Sequence, residues 1–166
     1  MSLLEEKSVR RVNAALSAAG VLGAVRELPI GSGATLDVAG VLGVEAGAVV
    51  SVQMFTIDRR FVMALIAGDR RCREDQLPRA FFMTGAVARP DGSYVRAITG
   101  FPASAVSPAG MTNRLPTVID SSLKRFQTLY VPAGHPACVF PTTVAELKRL
   151  TGGIVSYAVS EPIPAD

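Results

Sequence analysis

The feature that most constrains this chain is a pair of apolar, β-branched runs set either side of three polar residues. Val49 to Ile57 and Phe61 to Ala67 flank Asp58-Arg59-Arg60. Runs of this composition joined by a short polar turn predict an antiparallel hairpin. Within the first run, strand alternation puts Val49, Ser51 and Gln53 on one face and Val50, Val52 and Met54 on the other. The Ser51 face is the more polar and is the one suited to line a pocket. An equally good use of Ser51 is a bond to a neighbouring backbone group, and nothing beside it in sequence activates it as a nucleophile.

Helical patterns surround the hairpin. Val9, Val12, Leu16 and Ala19 predict an amphipathic helix over 8–19 that stops at Gly20, with Arg10, Arg11 and Asn13 facing outward. Val25 to Leu28 reads as a short strand and Gly31-Ser32-Gly33 as a turn. Leu36 to Leu42 reads as a helix capped by Thr35 and ended by Gly43. Gly68-Asp69-Arg70-Arg71 closes the hairpin unit. Glu74 to Met83 has helical character interrupted by Pro78, and Asp91 caps a helix over 92–98 that Gly100 ends. Residues 102–114 form an irregular loop. Strands are predicted over 116–119, 128–132 and 137–140, with a helical turn over 121–126 between the first two. Thr143 caps a last helix over 144–150, Gly152-Gly153 ends it, and 154–159 is a final strand. The fold class is therefore α/β in the mixed α+β sense, one sheet system with helices packed around it. A single domain over 1–166 is expected, with 161–166 as a frayed tail.

Composition narrows the functional classes. With 49% hydrophobic and 19% charged residues, the chain is neither disordered nor a highly charged tail. No apolar run nears the roughly 20 residues of a membrane span. The acidic start lacks a signal-peptide core, so a cytoplasmic location and no membrane partner are expected. Cys72 and Cys138 have no metal spacing and read as reduced thiols. One histidine, His135, rules out multi-histidine zinc chemistry, and no metal or cofactor is expected. A net charge of +3 is compatible with a polyanionic partner without requiring one.

No G-x-S-x-G, phosphate-loop or H-E-x-x-H motif is present. His135, in Gly134-His135-Pro136 between two strands, either projects into a cleft as a proton-exchanging group or sits solvated in a turn. Arg70 and Arg71 either meet phosphate or form surface ion pairs at a strand end. The loop Ser104-Ala105-Val106-Ser107-Pro108-Ala109-Gly110 offers small residues whose backbone N–H groups can approach a ligand, and an ordinary surface loop has the same composition.

Seven segments in order resemble the YbaK/ProX family, similar to the editing domain of bacterial prolyl-tRNA synthetases. They are Ser8 to Val12, Leu42 to Val44, Gly68 to Arg71, Val95 to Phe101, Arg114 to Asp120, Ala133 to Pro136 and Leu150 to Gly153. The resemblance implies a barrel-like mixed sheet with surrounding helices. It also implies free-standing hydrolysis of the ester of a mischarged tRNA, in which the protein binds, orients and polarises while water and a ribose hydroxyl supply the chemistry. The implied partners are the acceptor end of an aminoacylated tRNA and an aminoacyl-tRNA synthetase, with no DNA. Ser51 and His135 are the catalytic candidates. Met54, Gly100, Phe101, the 104–108 stretch, Gly110, Asp120 and Gly134 are expected at the substrate, with Met54, Phe101 and Val106 as walls of the amino-acid pocket. Arg70, Arg71 and Lys124 are expected at tRNA phosphates.

Two residues depart from the family pattern. Ser51 stands where the family carries a lysine, and Ser104 replaces the first glycine of its G-x-x-x-P loop. A hydroxyl has neither the charge nor the reach of that lysine. Three readings follow in order: a deacylase with an altered pocket, a non-catalytic module that grips tRNA or a synthetase, and a small-molecule esterase.

Overall fold

Helical periodicity at the start of the chain becomes a buried stripe. In the computed structural model, which describes residues 2–29 and 38–164, Val9, Val12 and Leu16 are buried along α1 (Lys7–Ala18). Arg11 and Asn13 depart from the outward orientation expected of them. The Val25 N–H donates to Asn13 Oδ1, and Arg11 reaches two distant backbone carbonyls. β1 (Arg26–Glu27) follows, and then α2 (Val38–Leu42). The expected Gly31–Gly33 turn and Thr35 cap lie outside the described residues.

The predicted hairpin forms as β2 (Val50–Ile57) and β3 (Arg60–Ala67), with Ile57 opposite Arg60. That register leaves a two-residue loop, and Asp58 takes φ 56°, a left-handed conformation that aspartate tolerates better than most residues. β4 is Arg70–Cys72. The helix expected over 74–83 is shorter: a 3₁₀ turn at Glu74–Gln76 leads into α3 (Leu77–Ala80), with Pro78 in its first turn. Proline is accepted there because its missing N–H has no intrahelical partner to lose.

α3 ends in a Schellman arrangement, Met83 N–H to Pro78 C=O and Phe82 N–H to Arg79 C=O. Its left-handed residue is Phe82, at φ 54°. Glycine is usual at that position, and a bulky side chain costs about 1 kcal/mol there.

β5 (Val87–Ala88) and α4 (Gly92–Thr99) come next, α4 capped by the Asp91 carboxylate and ended by Gly100 at φ 80°, as the sequence implies. Then follow β6 (Thr117–Asp120), β7 (Leu129–Pro132), β8 (Cys138–Thr142), α5 (Val144–Thr151) and β9 (Ile154–Ser156). The final strand is shorter than the expected 154–159. After a bend, β10 (Ser160–Pro162) pairs with β4, so Glu161 and Pro162 are laddered rather than part of a frayed tail.

Strand order in the main sheet is β5-β2-β3-β6-β9, with β6 parallel to both neighbours. All four residues of β6 are buried, as expected of a parallel strand covered on both faces. A second sheet, β1-β8-β7, joins the first through the parallel bridge between Val49 and Tyr130. The two wrap a common core that takes Val50, Met54, Met63 and Leu65 from the hairpin, Val131 and Phe140 from the second sheet, and the buried stripe of α1. The opposite hairpin face, Phe55, Val62, Ala64 and Ile66, packs on Leu77 and Val159 in a smaller cluster.

Candidate functional site

Three side chains of one helix and one tight turn create a polar cleft. Ser8 Oγ donates to the Gly134 carbonyl at 2.9 Å, which docks the 134–136 turn on the start of α1. Gly134 has φ 91°, and a Cβ there would lie 2.9 Å from the Ser8 carbonyl oxygen, so the approach of turn to helix requires glycine. One turn further along α1, Arg11 Nε donates to Gly110 C=O at 2.8 Å and Nη2 to Thr99 C=O at 3.1 Å. Its guanidinium lies 4.6 Å from the centre of the Phe101 ring. Arg11 thereby ties both ends of the 99–110 segment to α1.

Between these two ties lies a cleft of ≈ 330 Å³ lined by Lys7, Arg11, Arg96, Gly100, Gly134 and His135 among others. Three cations on its walls face one carboxylate, Glu6. The Ala137 N–H donates to His135 Nδ1 at 3.0 Å. With Nδ1 accepting, the proton of neutral imidazole resides on Nε2, which is left to donate. His135 therefore has an oriented ring at the edge of a cationic cleft.

The other sequence-predicted residues fall elsewhere. Pro108 and Gly110 line a second cavity of ≈ 190 Å³ with Met63, Arg114, Thr117 and Thr151. Ala105, Val106 and Ser107 are buried, Ser107 accepting from the Ala109 N–H at 3.3 Å, whereas Ser104 is exposed. Met54, Phe101 and Val106 do share one cluster, but as packed core. Ser51 faces away from that cluster on the opposite side of β2, half-buried, its Oγ accepting from Gln53 Nε2 at 3.2 Å. The structure does not bring Ser51 to His135.

Asp120 is buried and holds the chain rather than facing a cleft. Its Oδ2 accepts from Ala67 N–H at 3.1 Å and Ser122 Oγ–H at 2.7 Å, its Oδ1 from Ser122 N–H at 3.0 Å. The cations expected at phosphates are engaged within the fold. Arg70 donates to Ser160 Oγ and C=O, Arg71 pairs with Glu161 at 2.6 Å, and Lys124 donates to Tyr157 Oη at 3.2 Å. Asp69 receives a two-pronged bond from Arg125 at 2.8 and 2.9 Å, which holds its carboxyl below the usual range.

Neither thiol is set up as a nucleophile. Burial pushes Cys72 up to about 12 and Cys138 up to about 11. Both are free, as the sequence implies. Among the described residues, no helix is long and apolar enough to cross a membrane. The residues that sequence reasoning missed are Lys7, Arg11, Arg96 and Arg114. Arg11, Arg96 and Arg114 each stand inside one of the resemblance segments, and Lys7 alone carried no signal.

Fold and clefts together place the chain in the YbaK-like editing-domain class: a mixed sheet wrapped on helices, with its cleft between the first helix and the loops that follow α4 and β7. The model of the aminoacyl-tRNA editing domain matches residues 33–150, and the chain belongs to that family. A candidate trans-editing enzyme for prolyl tRNA synthetase superposes with a TM-score of 0.86 at 29% identity, over 94% of this chain and 98% of the other. A scaffold protein from an epitope-grafting design superposes at 0.85 with 28% identity, over 95% and 99%. A hypothetical protein at 22% identity and a TM-score of 0.79, over 91% and 99%, shares the fold. A comparison with curated proteins finds no match.

Proposed function

We propose that this protein is a free-standing deacylase that hydrolyses the ester of a mischarged aminoacyl-tRNA, acting in the cleft between α1, the end of α4 and the 134–136 turn. The observation that carries the reading is the combination, in a member of the editing family, of three wall cations with an oriented His135. Lys7 and Arg96 face the phosphates of the acceptor end. The His135 Nε2–H polarises the ester carbonyl, an oxyanion-type contact that strengthens as charge develops on oxygen. The attacking oxygen comes from water or the substrate's ribose, since the two thiols are pushed far from ionisation and Ser51 Oγ has no adjacent base.

One observation favours a second reading, a non-catalytic module that holds tRNA or a synthetase. Ser51, in the position of the family's lysine, is bonded to Gln53 and faces neither described cleft. The test is ester loss from tRNAs charged with alanine, cysteine, serine and proline, with the Ser51→Lys variant in parallel. Turnover by the unaltered protein, abolished or slowed at least tenfold in His135→Ala, upholds the deacylase reading. If the unaltered protein binds tRNA without turnover, and Ser51→Lys gains none, the binding-module reading replaces it.

A further inference from the structure

From the exposed aromatic Phe82, the apolar hollow walled by its chain neighbour Met83, and Arg60 at that hollow's rim, we infer a docking surface for an unpaired RNA strand, separate from the His135 cleft. The hollow measures ≈ 380 Å³ and is walled by Phe61, Met83, Ile98, Leu115 and Pro116, with Arg60 at its edge. It is far more apolar than the His135 cleft, and a flat base fits such a surface better than a charged acyl group does. Ile98 lies on this side of the α4 end while Arg96 and Gly100 face the other cleft.

Phe82, next in the chain to Met83, is 88% exposed and adopts φ 54° at a helix end where glycine is the unstrained choice. Its ring therefore contributes little packing to the fold that would offset its backbone strain. Such a locally unfavourable residue, projecting into solvent beside a hollow, is the signature of a side chain held for binding.

The β2–β3 turn is fastened to the same segment. Asp58 N–H donates to Ala86 C=O at 2.9 Å, and Ala86 N–H donates to Asp58 Oδ1 at 3.0 Å. This places Arg59 and Arg60 beside the stretch that presents Phe82. Both guanidinium groups are exposed, and among the described residues neither forms an ion pair. The Asp58 carboxylate accepts from the Ala86 N–H. An aromatic platform, an apolar hollow and two arginines outside any ion pair complement a polyanion with exposed bases, and an unpaired strand supplies both.

The experiment is binding of two uncharged hairpin RNAs, one with an unpaired 3′ overhang and one blunt, followed by fluorescence anisotropy over a salt series. The expected result is tighter binding of the overhang form, weakened roughly tenfold by Phe82→Gly, the effect of one stacked base. Phe82→Gly is also expected to unfold at the same or a higher temperature, because it relieves the left-handed strain, so lost binding cannot be lost folding. The Arg59→Ala, Arg60→Ala double variant is expected to lower the salt slope by about 1.4, two phosphate contacts at about 0.7 each.

Equal binding of the two RNAs, or unchanged binding by Phe82→Gly, overturns the inference. So does loss of binding to an acidic amphipathic peptide in Phe82→Gly with RNA binding intact, which would assign the surface to a protein. The inference rests on the deacylase reading only for its choice of RNA, and the two fail differently. Overhang binding through Phe82 without ester turnover sinks the deacylase alone, while turnover with an unaffected Phe82→Gly variant sinks this surface alone.

Discussion

Replacing Asp120 by asparagine separates the architectural use of this residue from the substrate contact its position in sequence suggested. The carboxylate takes three donors on two oxygens: Oδ2 serves Ala67 N–H and Ser122 Oγ–H, and Oδ1 serves Ser122 N–H. An amide keeps one oxygen and turns the other into a donor. Whichever way it sits, at least one of these N–H groups then faces an NH₂, inside a site where the side chain is 2% exposed.

Loss of one charge-assisted bond and the opposition of two donors costs about 2–3 kcal/mol. Asp120→Ala, which strands the buried Ala67 N–H as well, costs about 3–4 kcal/mol. For a chain of this length, 3 kcal/mol lowers the melting temperature by about 6–12 °C. Urea unfolding of both variants, with acyl-tRNA turnover measured well below their transitions, is the assay. Full stability in Asp120→Asn together with lost turnover would refute the reasoning and return Asp120 to the substrate.

Gly134→Ala is expected to lose about 2–3 kcal/mol, because it adds left-handed strain to a Cβ placed 2.9 Å from the Ser8 carbonyl oxygen, read by thermal melting. Arg11→Lys keeps the charge but cannot hold the Thr99 and Gly110 carbonyls together over Phe101, so a loss of about 2 kcal/mol and a raised KM are expected from unfolding and steady-state kinetics. The Asp69 carboxyl, held low by Arg125, gives stability that is complete above about pH 5 and fades as pH falls through its folded value, below the ordinary 3.8. Arg125→Met should flatten that acid limb in a pH series of melts.

What could be read from the sequence was whatever depended on neighbours in the chain. The β-branched runs of 50–57 and 60–67, the stripe Val9, Val12, Leu16, and the Asp91 and Thr143 caps are local patterns, and each forms where expected within a residue or two. The pairing of β10 with β4 was not legible, since it joins Glu161 to Arg71, 90 positions apart, through a segment containing two prolines that reads as a tail. Arg11 was misread for the same reason. A polar residue on a helix with no polar partner nearby in sequence looks solvated, and its acceptors lie 88 and 99 positions away. Arg70 and Arg71 resemble a phosphate clamp only until β10 arrives beside them.

Most of the segments that carry the family resemblance and show a defined contact hold the fold together. Asp69 binds Arg125, Arg70 binds Ser160, Asp120 ties Ala67 to Ser122, Arg11 spans Thr99 and Gly110, and Gly134 lets the turn sit on Ser8. Groups so engaged must break a native contact before they can serve a substrate, which makes them poor binding groups. In the proposed reading, recognition then falls to groups left over once the fold is satisfied: Lys7, Arg96 and the Nε2–H of His135 at one cleft, and Arg60 at the apolar hollow together with the exposed Arg59 and Phe82. A substrate spanning both must carry an acyl-bearing end and a longer anionic strand, and an aminoacylated RNA combines the two.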